Sequence, residues 1–566
     1  MIDFTIILKS QPGGIAPEQF MNAYNGYTYK THVKTDFIEA GGLHLPHYPV
    51  TTFEMGKYKV IFEGAIYNLD EEQIKQKLEI LLMDDTMKTH LRIREFQLAA
   101  DGEFNFYILE PSGDNFNRFI FFNDALGRLQ TYHCATETLF CLSRNAAQVL
   151  KLQTNARVNM NFVADTLVFG FPLDNKMIFD NVVPSSEGQI IELARNTVSG
   201  QLELKTGSIT VNLGSQKKFN SKEEYIEHIQ PLLRQSTTNR LSYIGSAPFC
   251  CDLTGGFDSR TVFGLIHTTA NAIYTTNINL GDETETVNSL LREFNCLDKL
   301  KVIPAEPYPE NENFNRLLYY LQHFTGNNYS NGVCWQALES QKKLLNIKNR
   351  IAGIGFTDFI RKGIRNDRKS LSETFSRFNP YGLTIPEAAT LLNINKGDYV
   401  AHIDKTVGSW PEKNNRDIHK KYFYLRTLIL QSRLTEDRER FHYWNIHPLW
   451  NHQLCFDTLQ FFNLNWRGYH VHYLLLKSIH PSLVKVPINK SYLDFENERM
   501  LRMIDFKENN RLYRALKKRV KNITQKKTGP AKFNNIISAD FFANENSRSG
   551  NPELDYLKKS FVYLTH

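Results

Sequence analysis

The sequence lacks any uncharged apolar run that approaches the length of a transmembrane helix, and its N-terminal apolar stretch is bracketed by Asp3 and Lys9. Both features argue against a membrane span and a signal peptide. Cysteine is scarce as well, with seven residues in 566, an odd number without metal-ligand spacing. This excludes a disulfide scaffold or a zinc finger and is typical of a reducing compartment. We therefore predict a cytoplasmic protein without a membrane partner.

A large excess of charge of one sign is also missing, because the net charge is only +7 over the whole chain. The segment 511–532 holds nine basic residues and no acidic one. It could bind nucleic acid or an acidic peptide, but a solvated helix face followed by a loose tail is the favoured interpretation. We predict no nucleic-acid partner.

The hydrophobic pattern divides the chain into two halves. Short alternating segments such as YKVIFEGAIYNL and NRFIFFND fill residues 1–205 and predict strands. Residues 215–566 begin with APFCCDL, SRTVFGLIHTT and AIYTTNI in that order, an alternation of strand and helix. Such an alternation predicts a parallel sheet with crossover helices. We expect an α+β sandwich domain over 1–205 and an α/β domain over 215–566, since a chain of this length exceeds one core.

The stretch DLTGGFDSRT lies where the first strand of the second half ends and a helix begins. Backbone N–H groups at Thr254, Gly255 and Gly256 and at the helix N-terminus would form a concave anion site for phosphate. Glycine would allow close approach and unusual backbone angles. Asp258 would hold Mg²⁺ between phosphate oxygens, and Ser259 would add a hydroxyl. The alternative is a plain tight turn with Asp258 or Ser259 as the helix N-cap.

With Thr254 in place of its first serine, this turn resembles the Ser-Gly-Gly-x-Asp-Ser motif of the asparagine synthetase family. FEGAIYN at 62–68 and FNDALGRLQTYH at 122–133 are similar to segments of that family's glutaminase domain, in the same order. The resemblance implies an N-terminal-nucleophile-like sandwich followed by an α/β domain of the ATP pyrophosphatase (adenine nucleotide α-hydrolase-like) type. It also implies ATP and Mg²⁺ as cofactors, transfer of AMP to a carboxylate, release of pyrophosphate and attack by an amine.

Three positions depart from the family's glutaminase. The nucleophile would be a cysteine directly after the initiator methionine, but this chain has Ile2, and its first cysteine is Cys134. The asparagine that would stabilise the oxyanion is Glu63, whose charge would oppose it, and the motif glutamate is Ala65. We therefore predict that the chain does not hydrolyse glutamine. In this it resembles the β-lactam synthetases and lasso-peptide cyclases.

Two later segments resemble the rest of the family's nucleotide site. IAGIGFTDFIRKG at 351–363 is similar to a loop that contacts the nucleotide, here through Gly353, and supplies a second Mg²⁺ ligand. Thr357 falls on the position of that ligand, so Asp358 would need a shift of one residue to replace it. A strand-ending glycine turn with Asp358 on the surface is the alternative.

HPSLVKVPINKSY at 480–492 resembles the segment whose lysine neutralises phosphate charge during transfer. Lys490 fits that role by its position after a Val-Pro pair, and Lys485 is the alternative. The resemblance also places nucleotide-contacting backbone near Asn277, at the end of the second parallel strand. The acidic cluster that follows, residues 282–285, is interpreted as the N-terminal turn of a helix.

The region at 430–451 matches the family at Arg433 and Pro448 but has Trp444 and Ile446 where a Glu-x-Arg pair is expected. An aromatic and aliphatic acceptor pocket would argue against free aspartate as substrate. Trp444 and Trp450 could equally be core residues.

The sequence thus favours an ATP-dependent, AMP-forming carbon–nitrogen ligase that adenylates a carboxylate of a small molecule or peptide. One alternative is ammonia-dependent amidation of aspartate or of a sugar uronic acid. Another is a protein that keeps the fold without catalysis and binds a partner. The silent sandwich would then serve as a scaffold and as the surface of a homodimer.

Overall fold

A computed structural model describes residues 4–12, 28–83, 86–152, 157–174, 176–196, 198–209, 219–278, 281–306, 331–354, 383–411, 415–433, 436, 439–460, 469–488 and 497–509. Two six-stranded antiparallel sheets occupy the first half. The first sheet has the spatial order β10 (Val183–Pro184), β8 (Tyr132–Ala135), β9 (Leu139–Ser143), β1 (Thr5–Lys9), β3 (Ile38–His44) and β2 (Thr28–Lys34). The second has the order β12 (Leu202–Gly207), β11 (Ile190–Arg195), β7 (Asn115–Asn123), β6 (Gly102–Ser112), β5 (Tyr58–Ile66) and β4 (Val50–Met55).

The two antiparallel sheets stack face to face and are covered by helices on both outer sides. Strand β7 shows why its run FIFF is continuously apolar: Phe119 and Phe121 pack between the sheets, while Ile120 and Phe122 pack under helices. Successive side chains alternate between faces, so a strand that is buried on both sides needs apolar residues throughout. The predicted α+β sandwich over the first half is therefore present.

Fourteen α-helices are found in the described residues. They are α1 (Glu71–Leu82), α2 (Thr86–Ala99), α3 (Ala146–Lys151), α4 (Met160–Phe169), α5 (Lys222–Ile244), α6 (Phe257–Ile266), α7 (Thr284–Glu293), α8 (Asn331–Leu345), α9 (Ile385–Leu391), α10 (Lys396–Gly408), α11 (Asn415–Thr427), α12 (His452–Gln460), α13 (Tyr469–Ile479) and α14 (Glu498–Asn509). None of these helices is both long and apolar enough to cross a bilayer.

The second half contains a five-stranded parallel sheet, as the sequence predicted. Its spatial order is β15 (Leu300–Ile303), β14 (Ala272–Asn277), β13 (Phe249–Asp252), β16 (Asn349–Ile351) and β17 (Trp444–Ile446). Strand β13, the first of this sheet along the chain, is central. The next two strands, β14 and β15, lie on one side of it, and β16 and β17 lie on the other. Helices α5, α6, α7 and α13 share a buried core with this sheet.

Helices α9 and α10 and the start of α11 pack against the sandwich rather than against the parallel sheet. Ile403 and Tyr422 share one core with Ile7 of β1 and Leu167 of α4. The two halves are thus joined through a common apolar core. The domain boundaries at residues 205 and 215 stay predictions.

Candidate functional site

The carboxyl ends of three central parallel strands meet at one edge of the sheet. Cys251 of β13 is in register with Ile351 of β16, and Asp252 with Thr275 of β14. The chain order reverses between β13 and β16, and in open parallel sheets ligands bind outside the carboxyl ends at such a switch point. The loops after β13 and β16 flank this point, so the sequence motifs at 254–259 and at Gly353 come together.

The turn after β13 is closed by its own hydroxyl groups. The Ser259 Oγ accepts the Thr254 N–H at 3.1 Å and lies 2.9 Å from the Thr254 Oγ1. The Gly256 N–H donates to that Thr254 Oγ1 at 3.1 Å. Helix α6 begins with Gly256 as N-cap and has no side-chain cap. The interpretation of Asp258 or Ser259 as the N-cap is therefore wrong.

The prediction that the glycines are needed for unusual backbone angles is wrong too. Gly256 has φ −77° and ψ 173°, which any residue adopts. Gly255 is not among the residues with positive φ. At Gly256 a Cβ would lie 3.2 Å from the Thr254 Oγ1. A side chain at Gly256 would thus crowd the Thr254 hydroxyl, whereas the backbone angles of Gly256 do not require glycine.

Gly353 is the point at which the loop after β16 touches the first turn of α6. A Cβ on Gly353 would lie 2.6 Å from the carbonyl carbon and oxygen of Asp258 and 2.8 Å from the Ser259 nitrogen. Those atoms are backbone, which cannot rotate away. Two motifs 95 positions apart in the chain, Asp258 and Gly353, are therefore packed together without space for a methyl group.

We expect Gly353→Ala to lower the free energy of unfolding by about 1–3 kcal/mol, the usual cost of overpacking a tight contact. Gly408→Ala is the control, because a Cβ at Gly408 meets nothing within 4 Å, and it should change stability by less than about 0.5 kcal/mol. Urea denaturation of both variants measures the difference. Equal midpoints would mean that the two loops are not in contact.

Glu283, which lies between β14 and α7, forms a hydrogen bond with the turn. Its Oε2 accepts the Gly255 N–H at 3.0 Å. Glu283 is also the N-cap of α7, yet its side chain makes no capping hydrogen bond. Glu285 lies in the first helical turn, so the interpretation of residues 282–285 as a helix N-terminus is confirmed. The Glu283 carboxylate therefore binds the Gly255 N–H instead of capping its own helix, and the sequence did not predict this contact.

A partly buried ion pair lies at the end of β13, and the sequence did not predict it. The Arg350 Nε donates to the Asp252 Oδ2 at 2.9 Å, and the Arg350 Nη1 donates to the Glu439 Oε2 at 2.9 Å. The Thr275 hydroxyl and the Gln341 amide donate to the other Asp252 oxygen at 2.8 and 2.7 Å. Burial alone would raise the pKa of Asp252, but the guanidinium of Arg350 outweighs it and the pKa lies below its usual value.

These side chains line a cavity of about 100 Å³ beside the turn, with Asp252, Asn277, Glu283, Gln341 and Arg350 among its walls. Asn277 ends β14, and its Nδ2 donates to the carbonyl of Ala337 at 3.2 Å. Asn277 therefore ends the second parallel strand as predicted, and its contact with a nucleotide stays a prediction. The described walls hold three carboxylates and one guanidinium, because Glu439 also contributes.

Lys490 and Asp358, the predicted catalytic pair, lie outside the described residues, as do Thr357 and Ile2. The chain just before Lys490 is anchored to α6, since the buried Arg260 guanidinium donates to the carbonyls of Leu483 and Pro487 at 3.0 and 2.9 Å. Lys485, the alternative lysine, is half exposed and pairs with Glu293 at 3.2 Å.

Among the described residues, no three His, Cys, Asp or Glu side chains form a group that could hold a metal. The predicted Mg²⁺ ligands are Asp258, half-buried in the first turn of α6, and Asp358. A metal site with so few protein carboxylates depends on phosphate oxygens for its remaining ligands.

The predicted acceptor pocket is wrong, and the alternative that Trp444 and Trp450 are core residues is confirmed. Trp444 and Ile446 are 1% and 0% exposed and pack with the parallel sheet, and Trp450 is 1% exposed in a separate cluster. Arg433 turns to the sandwich, where its Nη2 donates to the carbonyl of Leu126 at 2.8 Å. Side chains alternate between the two faces of β17, so Trp444 and Ile446 enter the core while Asn445 between them accepts a hydrogen bond from Arg350. The spacing of two core residues in a strand is the same as that of the family's Glu-x-Arg pair, which explains why the pocket prediction was wrong.

Glu63, which replaces the predicted oxyanion-hole asparagine, is fully buried and satisfied. It accepts the hydroxyls of Tyr48 and Tyr107 at 2.6 and 2.9 Å and the amide of Asn105 at 2.9 Å, and it pairs with Arg144 at 3.1 Å. Its negative charge is therefore neutralised inside the sandwich. Glu63 therefore has a structural role in the sandwich.

A second buried ion cluster joins the two halves. The Arg128 Nη2 lies 2.8 Å from the Glu103 Oε2 and 2.8 Å from the Glu436 Oε2, and the Arg440 Nη2 lies 2.7 Å from each of the same two oxygens. All four side chains are fully buried. Through the neutral His447, whose pKa burial holds well below its usual value, this cluster continues toward Glu439 and the cavity.

Comparison with known proteins does not assign the chain to a family. No family model and no curated protein matches it. One solved structure, described as the allosteric regulatory enzyme of purine biosynthesis, aligns over 65% of this chain and 87% of its own at 10% identity and a TM-score of 0.22. Glutamine phosphoribosylpyrophosphate amidotransferase from B. subtilis, complexed with ADP and GMP, aligns over 67% and 91% at 11% identity and a TM-score of 0.20. At such TM-scores these alignments assign neither fold nor function.

Proposed function

We propose that this protein is an ATP-dependent, AMP-forming carbon–nitrogen ligase that adenylates a carboxylate of a small molecule or peptide. The observation that carries the proposal is the contact of the 254–259 turn with Gly353 at the switch point of a parallel sheet. A parallel sheet of this order with an anion-binding turn after its first strand is what we expect of an ATP pyrophosphatase-type domain. The turn at 254–259 and the loop at Gly353 both resemble motifs of the asparagine synthetase family, which supports the same interpretation.

In the proposed reaction, a carboxylate oxygen of the substrate attacks the α-phosphorus of ATP, and pyrophosphate leaves with the bridging oxygen. An amine nitrogen then attacks the acyl carbon, loses a proton and expels AMP. The backbone N–H groups of the turn would bind the leaving pyrophosphate. Asp258, with Asp358, would hold Mg²⁺, which offsets phosphate charge when bound. Lys490 would stabilise the charge that develops during transfer.

The amine would not come from glutamine hydrolysis within this chain. The sandwich belongs, in this proposal, to the N-terminal-nucleophile type but has lost its chemistry. The buried and neutralised Glu63 supports this, because the position that would need an oxyanion donor is occupied by a paired carboxylate. The amine then comes from the substrate itself or from a second molecule, and the sandwich serves as scaffold and homodimer surface.

Pyrophosphate exchange into ATP tests the proposal. We expect the wild-type chain with Mg²⁺ to exchange labelled pyrophosphate into ATP in the presence of one class of carboxylate only. The panel would contain aspartate, glucuronate and short peptides that carry aspartate or glutamate side chains. Exchange with aspartate or glucuronate, followed by amide formation from ammonia, would favour the ammonia-dependent amidases. No exchange, together with no thermal shift by ATP and Mg²⁺, would contradict the ligase assignment.

A non-catalytic protein is the second candidate, and one observation favours it. The Gly255 N–H, a donor that the phosphate would need, is taken by the Glu283 carboxylate. In a protein that had abandoned nucleotide binding, such a contact would be permanent. The thermal shift with ATP and Mg²⁺ separates this candidate from the ligase.

A further inference from the structure

Three N–H groups of the predicted anion site already have partners within the chain. The N–H of Thr254 donates to the Ser259 hydroxyl and that of Gly256 to the Thr254 hydroxyl, at 3.1 Å each. The third, on Gly255, donates to the Glu283 carboxylate at 3.0 Å. Hydroxyl partners are neutral and belong to the turn itself. Glu283 differs from them because it brings a negative charge from a separate loop.

Glu283 lies at the border between a loop and the buried helix α7. Helix α7 is fixed by the fully buried Val287, Leu290 and Leu291. The loop before the helix contains Gly281, whose φ is +123° and whose Cβ position is open within 4 Å. A rotation of the Glu283 side chain would therefore release the Gly255 N–H without displacing helix α7.

We propose that Glu283 is an autoinhibitory carboxylate that competes with the phosphate chain of the nucleotide for the Gly255 N–H. This inference rests on the proposed function, since it assumes that a phosphate oxygen binds at this amide. Glu283 holds the donor while the site lacks nucleotide and swings away when the triphosphate arrives. A carboxylate oxygen and a phosphate oxygen at one N–H both carry negative charge and repel each other at this distance, so the two compete.

The apparent affinity for nucleotide is then the intrinsic affinity multiplied by the fraction of molecules in which Glu283 has left. The cavity wall strengthens the effect, because Asp252 and Glu439 add negative charge that Arg350 neutralises in part. Arg260 interacts electrostatically with Glu283, but its guanidinium donates hydrogen bonds to the carbonyls of Leu483 and Pro487. Removing the carboxylate removes both the competition and the repulsion.

Calorimetric titration of the full chain with inorganic pyrophosphate and Mg²⁺, and separately with ATP and Mg²⁺, tests the proposal. We expect Glu283→Ala to bind both probes about tenfold more tightly than the wild type. Glu283→Gln should fall between them, because its amide oxygen still accepts a hydrogen bond but carries no charge. Glu285→Ala is the control, an exposed glutamate two residues away, and should leave both affinities unchanged within twofold.

The outcomes separate this inference from the function on which it rests. If the wild type binds ATP and the two Glu283 variants bind it equally well or less well, Glu283 does not compete and the inference is overturned while the ligase stands. If the wild type binds neither probe but Glu283→Ala binds both, the autoinhibition is supported. If no variant binds either probe, both the inference and the nucleotide site are wrong. Thermal unfolding of Glu283→Gln checks that the fold is kept.

Discussion

Arg128→Met is expected to lower the free energy of unfolding by about 3–5 kcal/mol. Burial would lower the pKa of Arg128, but Glu103 and Glu436 outweigh it and raise the pKa, so the guanidinium is charged. Removing it leaves Glu103 and Glu436 with Arg440 as the one cation that both contact among the described residues, and all three side chains are 0% exposed. An uncompensated buried charge costs far more than a surface pair contributes.

Urea denaturation of the full chain measures this loss. Arg94→Met is the matched control, since Arg94 is exposed on α2 of the same sandwich, and its effect should stay within about 0.5 kcal/mol. The double variant Arg128→Met with Glu436→Leu should lose less than the sum of the two single variants, because it removes charges in a pair. Equal effects of Arg128→Met and Arg94→Met would show that the cluster does not hold the two halves together.

Asp258→Asn should reduce the rate of pyrophosphate exchange by about 100-fold or more, the usual cost of removing one charged group that stabilises a transition state. Asparagine keeps the shape of the side chain but supplies a neutral oxygen, a weaker ligand for Mg²⁺. The start of the helix should stay in place, because Asp258 is not the N-cap of α6, which begins after Gly256, and the turn is closed by Thr254 and Ser259.

The exchange assay is run with the carboxylate that gives the highest wild-type rate. Asp298→Asn, an exposed aspartate after α7, makes the same chemical change away from the cavity. It should retain the wild-type rate. If the Asp258→Asn variant is as active as this control, Asp258 is not a metal ligand. The nucleotide would then be held by the turn alone.

The elements that the sequence predicted correctly are those set by neighbours along the chain. The strand AIYTTNI appears as Ala272–Asn277 and the helix after the Gly-Gly pair as Phe257–Ile266. Period-2 and period-3.6 patterns report which faces are buried, and a glycine pair before an apolar helix marks the turn. The acidic start of α7 followed from the same local rule.

The errors arose where a pattern of residue types admits two environments. At Trp444 the departure from the family motif is compatible with a rebuilt pocket or with a core residue, and the structure has both Trp444 and Ile446 in the core of the parallel sheet. The loss of glutamine hydrolysis at Glu63 stays a prediction, whereas its partners Tyr48, Tyr107 and Arg144, which come from three other segments, were not predicted. A single sequence does not show which distant residues surround a side chain.

The sequence by itself determined the order of strands and helices, the two-part pattern and the place of the turn at 254–259, because each depends on hydrophobic periodicity and on local turn chemistry. Only the tertiary structure decided that Gly353 packs on that turn, that Glu283 binds its amide and that Arg128 neutralises carboxylates from both halves. Those contacts join residues 28 to 308 positions apart. Their formation depends on strand register and on the packing of whole elements, which no local pattern encodes.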